Sequence, residues 1–352
     1  MNIYESRLWR NDLDRVLDSL PELSLLNGKR ILVTGATGLI CSAIIDIMVR
    51  YSERQGGNIC IYAAGRNQGR IENRFPLGVS KRFVHFVPYD ATKAAPETEE
   101  TMDYILHGAS NTMPSQYVQE PVETMISNFN GVKDLLDILK KQGTGKLLYV
   151  SSSEVYGKKE NIEPYTEDEY GFVDILNPRN SYPMGKRATE ALCAAYSREY
   201  GIQTVMVRPG HIYGPTASSK DGRVSSAWAY DVAQGKNIVM KSDGRQIRSY
   251  CYCLDCAAAI LKVILRGKNS EAYNISNPDS IISIRDMAQI LCQYAGVKLI
   301  YDNADAGDKK TFNPMSNSSL NSEKLQKLGW RGLFNAQEGF QHTYLILREV
   351  LG

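Results

Sequence analysis

The sequence predicts an α/β fold built on a doubly wound parallel sheet. Six short apolar runs alternate with stretches of helical periodicity over the first 210 residues: RILVTG, NICIYAAG, FVHFVPYD, YILHGAS, KLLYVSSS and TVMVRPG. Strands separated by helices are typical of parallel sheets, because each crossover between parallel neighbours needs a long connection. The first run passes directly into a glycine-rich turn, TGATGLIC, that precedes a helical pattern, which is the order found at the start of a Rossmann-type domain.

The helical segments and the change of pattern near Gly210 predict how the chain is divided. The periodicity from Ile40 to Tyr51, and that of NFNGVKDLLDILKKQ from Asn128, predict amphipathic helices. After about Gly210 the alternation gives way to Gly-, Ser- and Pro-rich stretches such as YGPTASSKDGR, which predict a smaller mixed lobe. We therefore expect an N-terminal helical extension (1–27), an NAD(P)-binding domain (28–210) and a substrate lobe (211–352) that is partly interleaved with that domain.

The N-terminal segment predicts an amphipathic helix ahead of the main fold. It places leucine and valine at helical spacings up to Pro21: Leu8, Leu13, Val16, Leu17 and Leu20. We interpret this helix as an extension rather than a core element. Its charges interrupt any apolar region of a secretory signal, and no run reaches membrane-spanning length, so the sequence predicts a cytoplasmic protein without a membrane partner.

Composition excludes several classes of protein. The formal net charge is only +2 and the basic residues are scattered among acidic ones, which argues against a nucleic-acid binder but leaves a small anionic ligand open. Seven cysteines are present, and the cluster Cys251, Cys253 and Cys256 lacks both the second cysteine pair and the histidines of a zinc site. We predict reduced packing thiols and no metal site.

The glycine-rich turn is the candidate cofactor site. Glycines allow a tight turn and let the backbone approach a pyrophosphate, whose charge then faces the positive end of the following helix. The expected contacts lie in this turn and the first helical turn: Gly35, Thr37, Gly38, Leu39 and Ile40. Cys41 stands where a third small residue is usual, and we expect strain there but no loss of the site. Taken alone, such a turn also serves ordinary loops.

The end of the second strand bears on the choice between NAD and NADP. The carboxylate that would hold the adenosine ribose is replaced by Ala63 and Ala64 in IYAAGRN. Arg66 follows, and its planar fork of donors suits a 2′-phosphate, which slightly favours NADP; a solvated surface arginine is the alternative. Asp90 is expected either to accept from the adenine amino group or to cap its own turn.

A serine cluster and a Tyr-x-x-x-Lys pair form the candidate catalytic group. YVSSSEVYG ends a predicted strand, and Tyr182 follows Ser152 by thirty residues, with Lys186 four residues later. This spacing places the phenol and the ammonium on one helix face, where the cation and a nearby nicotinamide are expected to lower the pKa of Tyr182. The pair alone is weak evidence, but its combination with the glycine turn and Ser152 is specific.

With these motifs the sequence resembles the extended short-chain dehydrogenases, the family of nucleotide-sugar epimerases, dehydratases and decarboxylases. The resemblance covers roughly residues 28 to 345 and includes TGATGLIC, HGAS with Asn111, MPSQYVQEPVET, SSSEVYG, YPMGK, RPGHIYGP, DGR, RQIRSY, YNISNP and KLQKLGW. It is nearest to the UDP-glucuronate decarboxylases at Ser153 and Glu154, where the dehydratases carry an Asp-Glu pair. The stretch PRNSYPMGKR is similar to the decarboxylases as well.

The resemblance implies a role for each candidate residue. Tyr182 would remove the proton of the sugar C4 hydroxyl while a nicotinamide takes the hydride, with Ser152 bonded to the oxygen and Lys186 stabilising the phenolate. The remaining residues would face the carboxylate, sugar and phosphates of a nucleotide-diphosphate sugar: Ser153, Glu154, Arg179, Arg248, Tyr117, His211 and Arg223. Family members commonly form homodimers, here through the helices that follow Asn128 and Tyr182.

Three departures from the family pattern leave the reaction open. The Ala63 and Arg66 pattern suits an enzyme that consumes NADPH, whereas decarboxylation is redox-neutral and retains NAD. His211 replaces an asparagine, which either changes the diphosphate contacts or is a neutral packing change, and Cys41 is the third departure. A decarboxylase is favoured over an NADP-dependent 4-ketoreductase or a 4-epimerase. A non-catalytic NADP-binding regulator is the remote alternative, and the intact catalytic group argues against it.

Overall fold

The central element is a sheet of seven parallel strands, in a computed structural model that describes residues 2–93, 95–96, 98, 100–110, 114–302 and 315–352. Its strands are β1 (Arg30–Thr34), β2 (Cys60–Gly65), β3 (Val84–Pro88), β4 (Tyr104–His107), β5 (Lys146–Val150), β6 (Gln203–Pro209) and β10 (Glu271–Ile275). They lie in the order β10-β6-β5-β4-β1-β2-β3. The predicted doubly wound sheet is confirmed, and the six predicted strands are β1 to β6.

Helices cover both faces of this sheet. They are α2 (Leu39–Gln55), α3 (Gln68–Arg74), α4 (Pro76–Ser80), α5 (Pro114–Gln119), α6 (Pro121–Gln142), α7 (Ser181–Tyr200) and α9 (Cys253–Arg266). Ile31 and Val33 join the cluster that contains α2 and α9, whereas Leu32 joins the one that contains α6 and α7. Both faces are therefore buried, which explains the continuous apolar runs. The helix predicted from Asn128 begins seven residues earlier, because Pro121 is favoured in a first helical turn.

A smaller mixed lobe follows, as the sequence predicts. Its sheet contains β7 (His211–Tyr213), β9 (Ile247–Tyr252), β11 (Ile281–Ser283) and β13 (Asn317–Ser318), and a parallel pair is formed by β8 (Ile238–Met240) and β12 (Leu299–Tyr301). Among the strand pairs that the structure describes in this lobe, that of β11 with β9 is antiparallel and the others are parallel. The helices are α8 (Val224–Ala233), α10 (Ile284–Ala295), α11 (Glu323–Gln326) and α12 (Ala336–Leu351). Strand β10 returns to the large sheet from within this part of the chain.

The N-terminal helix α1 (Arg7–Asp18) is part of the core, and the interpretation of this segment as an extension outside the core is wrong. Trp9, Leu13 and Val16 are fully buried in the same apolar cluster as α2 and α9. The Trp9 indole also donates a 3.1 Å hydrogen bond to the buried carboxylate of Asp46 on α2. The sequence pattern gave the helix and its apolar face correctly, but a single helix pattern does not show what that face packs against.

The cysteines are free and mostly buried. Cys253 and Cys256 are separated by two residues at the start of α9, and burial raises the pKa of the Cys253 thiol to about 12. Thiols of this kind are packing groups with little thiolate, as predicted. Within the part of the chain that the structure describes, no cluster of His, Cys, Asp and Glu is arranged to hold a metal ion. No helix in those same ranges is long and apolar enough to cross a membrane.

Candidate active site

The turn between β1 and α2 forms a cradle that fits a dinucleotide pyrophosphate. Gly35 has φ +66°, and a Cβ atom at this position would lie 2.9 Å from the backbone nitrogen of Ala109. Glycine is therefore required there both by conformation and by space. Gly38 is the N-cap of α2 and offers no side-chain cap, so the backbone N–H groups that begin with Leu39 and Ile40 face outward. Thr37, half-buried, lies in the same turn.

Cys41 is accommodated at the third small position of this motif by a glycine on a neighbouring strand end. Its thiol is buried, and its sulfur occupies the space that a side chain at Gly108 would need. Gly108 directly follows β4, so the room for Cys41 comes from a residue 67 positions away in the chain. The strain expected at Cys41 is thus relieved by Gly108, and the cradle keeps its shape.

At the adenosine end of the cradle, Arg66 is exposed just beyond β2. One carboxylate oxygen of Asp90 accepts hydrogen bonds from the backbone nitrogen of Thr92 (3.1 Å) and from its hydroxyl (2.8 Å). These bonds, with a smaller effect of the Arg66 charge, lower the pKa of Asp90. Asp90 therefore caps its turn, the second of the two roles expected for it. Arg66 lies close enough for its charge to act on Asp90.

Tyr182 and Lys186 lie on α7, beside the end of β5. The Lys186 ammonium donates a 2.9 Å hydrogen bond to the carbonyl of Val150, and burial lowers its pKa to about 7. Burial, together with the negative charge of Glu154, raises the pKa of Tyr182 to about 12. The lowered pKa expected for Tyr182 is therefore not found in the protein alone, because the Lys186 nitrogen lies 5.5 Å from the centre of the phenol ring.

Ser152, Ser153 and Glu154 reach the site through a 3₁₀ turn, Ser153–Tyr156, which directly follows the end of β5. The Ser152 hydroxyl caps this turn by accepting a 3.2 Å bond from the backbone nitrogen of Glu154. It also lies close enough to Tyr182 to oppose the rise in the pKa of the phenol. Ser153 is buried within the same turn. The β5 end and α7 thus bring together the predicted serine, tyrosine and lysine.

Glu154 lies between two arginines. Its carboxylate is 3.5 Å from the guanidinium of Arg179, which belongs to a second 3₁₀ turn, Pro178–Asn180, just before α7. Arg248 of β9 also acts on it by charge. Burial raises the pKa of Glu154, and the two arginines oppose that shift. The site therefore holds a half-buried carboxylate beside cationic groups that suit an anionic ligand.

His211, Arg223 and Tyr117 complete the predicted substrate residues. The Nδ1 atom of His211 is buried without a hydrogen-bond partner among the described residues, and burial with the charges of Arg248 and Arg223 lowers the pKa of His211 to about 3. Arg223, at the N-cap of α8, pairs with Asp221 through a 2.9 Å hydrogen bond. The ring of Tyr117, on α5, stacks against Tyr182. Asn111 lies outside the described residues.

Arg187 is a residue of this site that sequence reasoning missed. It follows Lys186 on α7 but turns to the opposite side, where it donates to the carbonyls of Val155 (2.6 Å), Tyr156 (3.1 Å) and Gly171 (2.9 Å). Two of these carbonyls end the turn that carries Glu154. Arg187 therefore ties the tyrosine helix to the glutamate turn. The Lys-Arg pair in SYPMGKR was the signal, but its partners are distant in sequence.

Replacing Arg187 by methionine is expected to lower kcat about tenfold, because three carbonyls lose their donor and the Glu154 turn shifts relative to Tyr182. The KM for the cofactor should not change, since the cradle lies elsewhere. Lysine at this position should restore part of the rate. Lys159→Met, which removes an ion pair to Glu169 in the same loop, is the matched control. Unchanged kcat with a lower melting temperature would show that Arg187 only stabilises the loop.

Comparison with known proteins adds to this geometry. The family model described as NAD dependent epimerase/dehydratase family matches residues 31–276. UDP-glucuronic acid decarboxylase 1 of Xenopus tropicalis is 27% identical over 336 residues, which are 94% of this chain and 74% of that protein. UDP-glucuronic acid decarboxylase 6 of Arabidopsis thaliana is 28% identical over 313 residues, which are 88% of this chain and 86% of that protein.

Solved structures share the fold. The UDP-glucose 4-epimerase of Thermotoga maritima, crystallised with UDP-glucose, superposes with a TM-score of 0.76 at 22% identity and covers 92% of this chain and 100% of its own. A variant of the UDP-glucuronic acid 4-epimerase of Bacillus cereus, crystallised with a fluorinated substrate analogue and NAD, gives 0.76 at 20% identity, with 91% and 99% covered. At these identities the likeness extends to the fold alone.

Proposed function

The chain belongs to the NAD-dependent epimerase/dehydratase family, and on this premise we propose that it oxidises a nucleotide-diphosphate sugar at C4 and decarboxylates UDP-glucuronate. The cofactor occupies the domain formed by residues 28–210, and the sugar lies between this domain and the lobe formed by residues 211–352. Among the relatives, the two UDP-glucuronic acid decarboxylases cover most of the chain, which supports this choice of substrate.

The observation that carries the proposal is the half-buried Glu154 beside Arg179, adjacent to the catalytic tyrosine. Arg179 and Arg248 attract the negative charges of a uronate carboxylate and a diphosphate, while Glu154 limits how firmly either arginine holds the carboxylate. A carboxylate that must leave as neutral carbon dioxide is best bound loosely, since tight pairing would stabilise the ground state. Ser153, neutral where dehydratases carry an acid, argues against expulsion of water.

The residues divide the proton chemistry as follows. When bound, the nicotinamide ring supplies the acceptor for the C4 hydride and returns it at the end. Tyr182 takes the C4 hydroxyl proton, and Ser152 donates a hydrogen bond to the same oxygen. The ketone at C4 lies β to the carboxylate, so the C5–C6 bond breaks, carbon dioxide leaves and its electron pair forms an enolate over C5 and C4. A proton from solvent then adds to C5, the hydride returns to C4 and Tyr182 returns its proton to the C4 oxygen, which completes the balance.

A second candidate, an NADP-dependent 4-ketoreductase, is favoured by one observation. Ala63 and Ala64 are buried at the end of β2 and leave no carboxylate for the ribose, while the exposed Arg66 is accessible to a 2′-phosphate. A reductase would consume NADPH instead of regenerating its cofactor.

Incubation with UDP-glucuronate, UDP-glucose and a UDP-4-keto sugar, followed by mass spectrometry of the products, separates the candidates. A decarboxylase removes the carboxyl group, an epimerase inverts C4, and a reductase gives net reduction of the keto sugar.

Replacing Arg66 by alanine tests the preference for NADP. If Arg66 binds the 2′-phosphate, the Kd for NADP should rise about tenfold, the magnitude of one lost charge-assisted hydrogen bond, and the Kd for NAD should stay constant. Calorimetric titration measures both constants. Arg70→Ala, an exposed arginine on α3, is the matched control. Equal affinity of the unmodified protein for both cofactors, unaffected by Arg66→Ala, would contradict a preference for NADP and leave the arginine as a solvated surface residue.

We also propose a homodimer that pairs α6 and α7 of two subunits. Three large apolar side chains near the start of α6 are exposed in the single chain: Val122, Met125 and Ile126. An apolar strip of this kind on a helix is typical of a face that packs against another helix. Light scattering of the purified protein should give twice the mass of the chain, and Met125→Glu should shift it toward the monomer. A monomer at high protein concentration would contradict this proposal.

A further inference from the structure

Tyr117 makes an unusually close contact with the catalytic tyrosine. The centres of the two phenol rings are 4.4 Å apart and their planes differ by 3°, which is a stacked arrangement. Tyr117 is only 3% exposed, although α5 has six residues and its next two side chains, Val118 and Gln119, are exposed. Among the described side chains of α5, the tyrosine ring is therefore the one held against the site.

The stack holds Tyr117 against Tyr182, and Ser152 lies close to the same phenol. The hydroxyl groups of Ser152 and Tyr117 both oppose the rise that burial imposes on the pKa of Tyr182. The Lys186 ammonium donates instead to the carbonyl of Val150. Burial raises the pKa of Tyr117 far above its ordinary value, so Tyr117 keeps its proton and can act as a donor throughout.

We propose that Tyr117 is a further catalytic residue, a second hydroxyl donor to the Tyr182 phenolate that sets the pH at which Tyr182 removes a proton. The proposal rests on the proposed function only in taking Tyr182 as the base. Its atom balance is simple: Tyr182 gains the substrate proton and later returns it, while Tyr117 donates a hydrogen bond and loses nothing. The stack holds the Tyr117 ring against that of Tyr182, so the donation needs no large rearrangement at the moment of reaction.

Charges on every side of the pair make such a donor useful. The groups that act on the two phenols come from the β5 strand, the two 3₁₀ turns, the start of α8 and α7 itself: Tyr149, Ser152, Glu154, Arg179, Arg223 and Lys186. Glu154 disfavours a phenolate on Tyr182, and Arg223 favours it. A neutral donor that touches the phenolate oxygen offsets the effect of Glu154 without adding a cation that would hold the substrate carboxylate.

The test is the pH dependence of kcat in Tyr117→Phe, which keeps the ring and removes the hydroxyl. The acid limb of the profile should move upward by roughly one pH unit, so that kcat at pH 7 falls about tenfold and recovers as the pH is raised. Recovery at high pH separates this role from a structural one, which would lower kcat at every pH. The matched control is Tyr196→Phe, which removes from α7 a hydroxyl that donates a hydrogen bond to Asp137 of α6. This variant should not move the acid limb of the profile.

A second measurement does not depend on the identity of the sugar. The phenolate absorbance of the NAD-bound protein minus that of NAD-bound Tyr182→Phe gives the titration of Tyr182 alone. The same difference in a Tyr117→Phe background should titrate at higher pH. Titration at the same pH in both backgrounds, with an unmoved limb and a raised KM for the sugar, would overturn the proposal and leave Tyr117 as a substrate contact. Full activity of Tyr182→Phe would instead contradict the proposed function.

Discussion

Tyr182→Phe is expected to lower kcat by roughly a hundredfold to ten-thousandfold, the range for loss of a general base. The phenylalanine ring keeps the stack against Tyr117 and the packing of α7, so only the proton acceptor is removed. Binding of the cofactor should be nearly unchanged, because the Gly35 turn is not touched. Single-turnover measurements of cofactor reduction with UDP-glucuronate give the rate of the oxidation step directly.

The control for this variant is its stability. The hydroxyl of Tyr182 is buried beside Ser152, so its removal costs roughly 1 to 2 kcal/mol and leaves the protein folded. Thermal unfolding with and without cofactor checks this point. A folded, cofactor-binding Tyr182→Phe protein that retains more than a tenth of the original kcat would show that another group takes the C4 proton.

Glu154→Gln is expected to slow carbon dioxide release about a hundredfold, which corresponds to ~2.7 kcal/mol. Glutamine keeps the size of the side chain but removes the charge that pairs with Arg179 across 3.5 Å. Arg179 is then free to hold the substrate carboxylate, which is stabilised against loss. The oxidation step involves Tyr182 and should be affected much less, so the reduced cofactor and the 4-ketone should accumulate during a single turnover.

The same variant gives a pH test. Because burial raises the pKa of Glu154, the carboxylate takes up a proton at a higher pH than an ordinary glutamate does. In the unmodified protein the charged form is present above that raised pKa, so carbon dioxide release should decline as the pH falls through it. The glutamine variant carries no titratable group there and should lack this limb. An identical limb in both proteins would assign the titration to another residue.

Much of the site follows from local patterns in the sequence. The glycine turn between β1 and α2 and the four-residue spacing of Tyr182 and Lys186 depend on neighbours in the chain, and helix geometry alone places the latter pair on one face. Positions that follow a strand can also be placed from the sequence, because the carboxyl ends of parallel strands lie at the same edge of a sheet. Ser152 and Gly35 both follow such strand ends.

What the sequence could not predict depends on contacts between distant residues. Cys41 finds its space at Gly108, Arg187 finds its acceptors in the turn around Tyr156, and Trp9 finds a buried carboxylate on α2. The pKa of Tyr182 is a stronger case. Helical spacing predicts a lysine nearby, but burial and the nearby Glu154 raise the pKa of Tyr182 in the protein alone. Such a balance is set by the three-dimensional environment and not by the spacing of two residues.

Release of carbon dioxide from UDP-glucuronate labelled in its carboxyl group, with NAD present in catalytic amount, distinguishes decarboxylation from the other reactions of the family. We expect labelled carbon dioxide in multiple turnovers per NAD, a UDP-pentose product and loss of both in Tyr182→Phe. Retention of the label in the nucleotide sugar, with inversion at C4 or with stoichiometric use of NADPH on a keto sugar, would contradict decarboxylation and assign the protein to another reaction of its family.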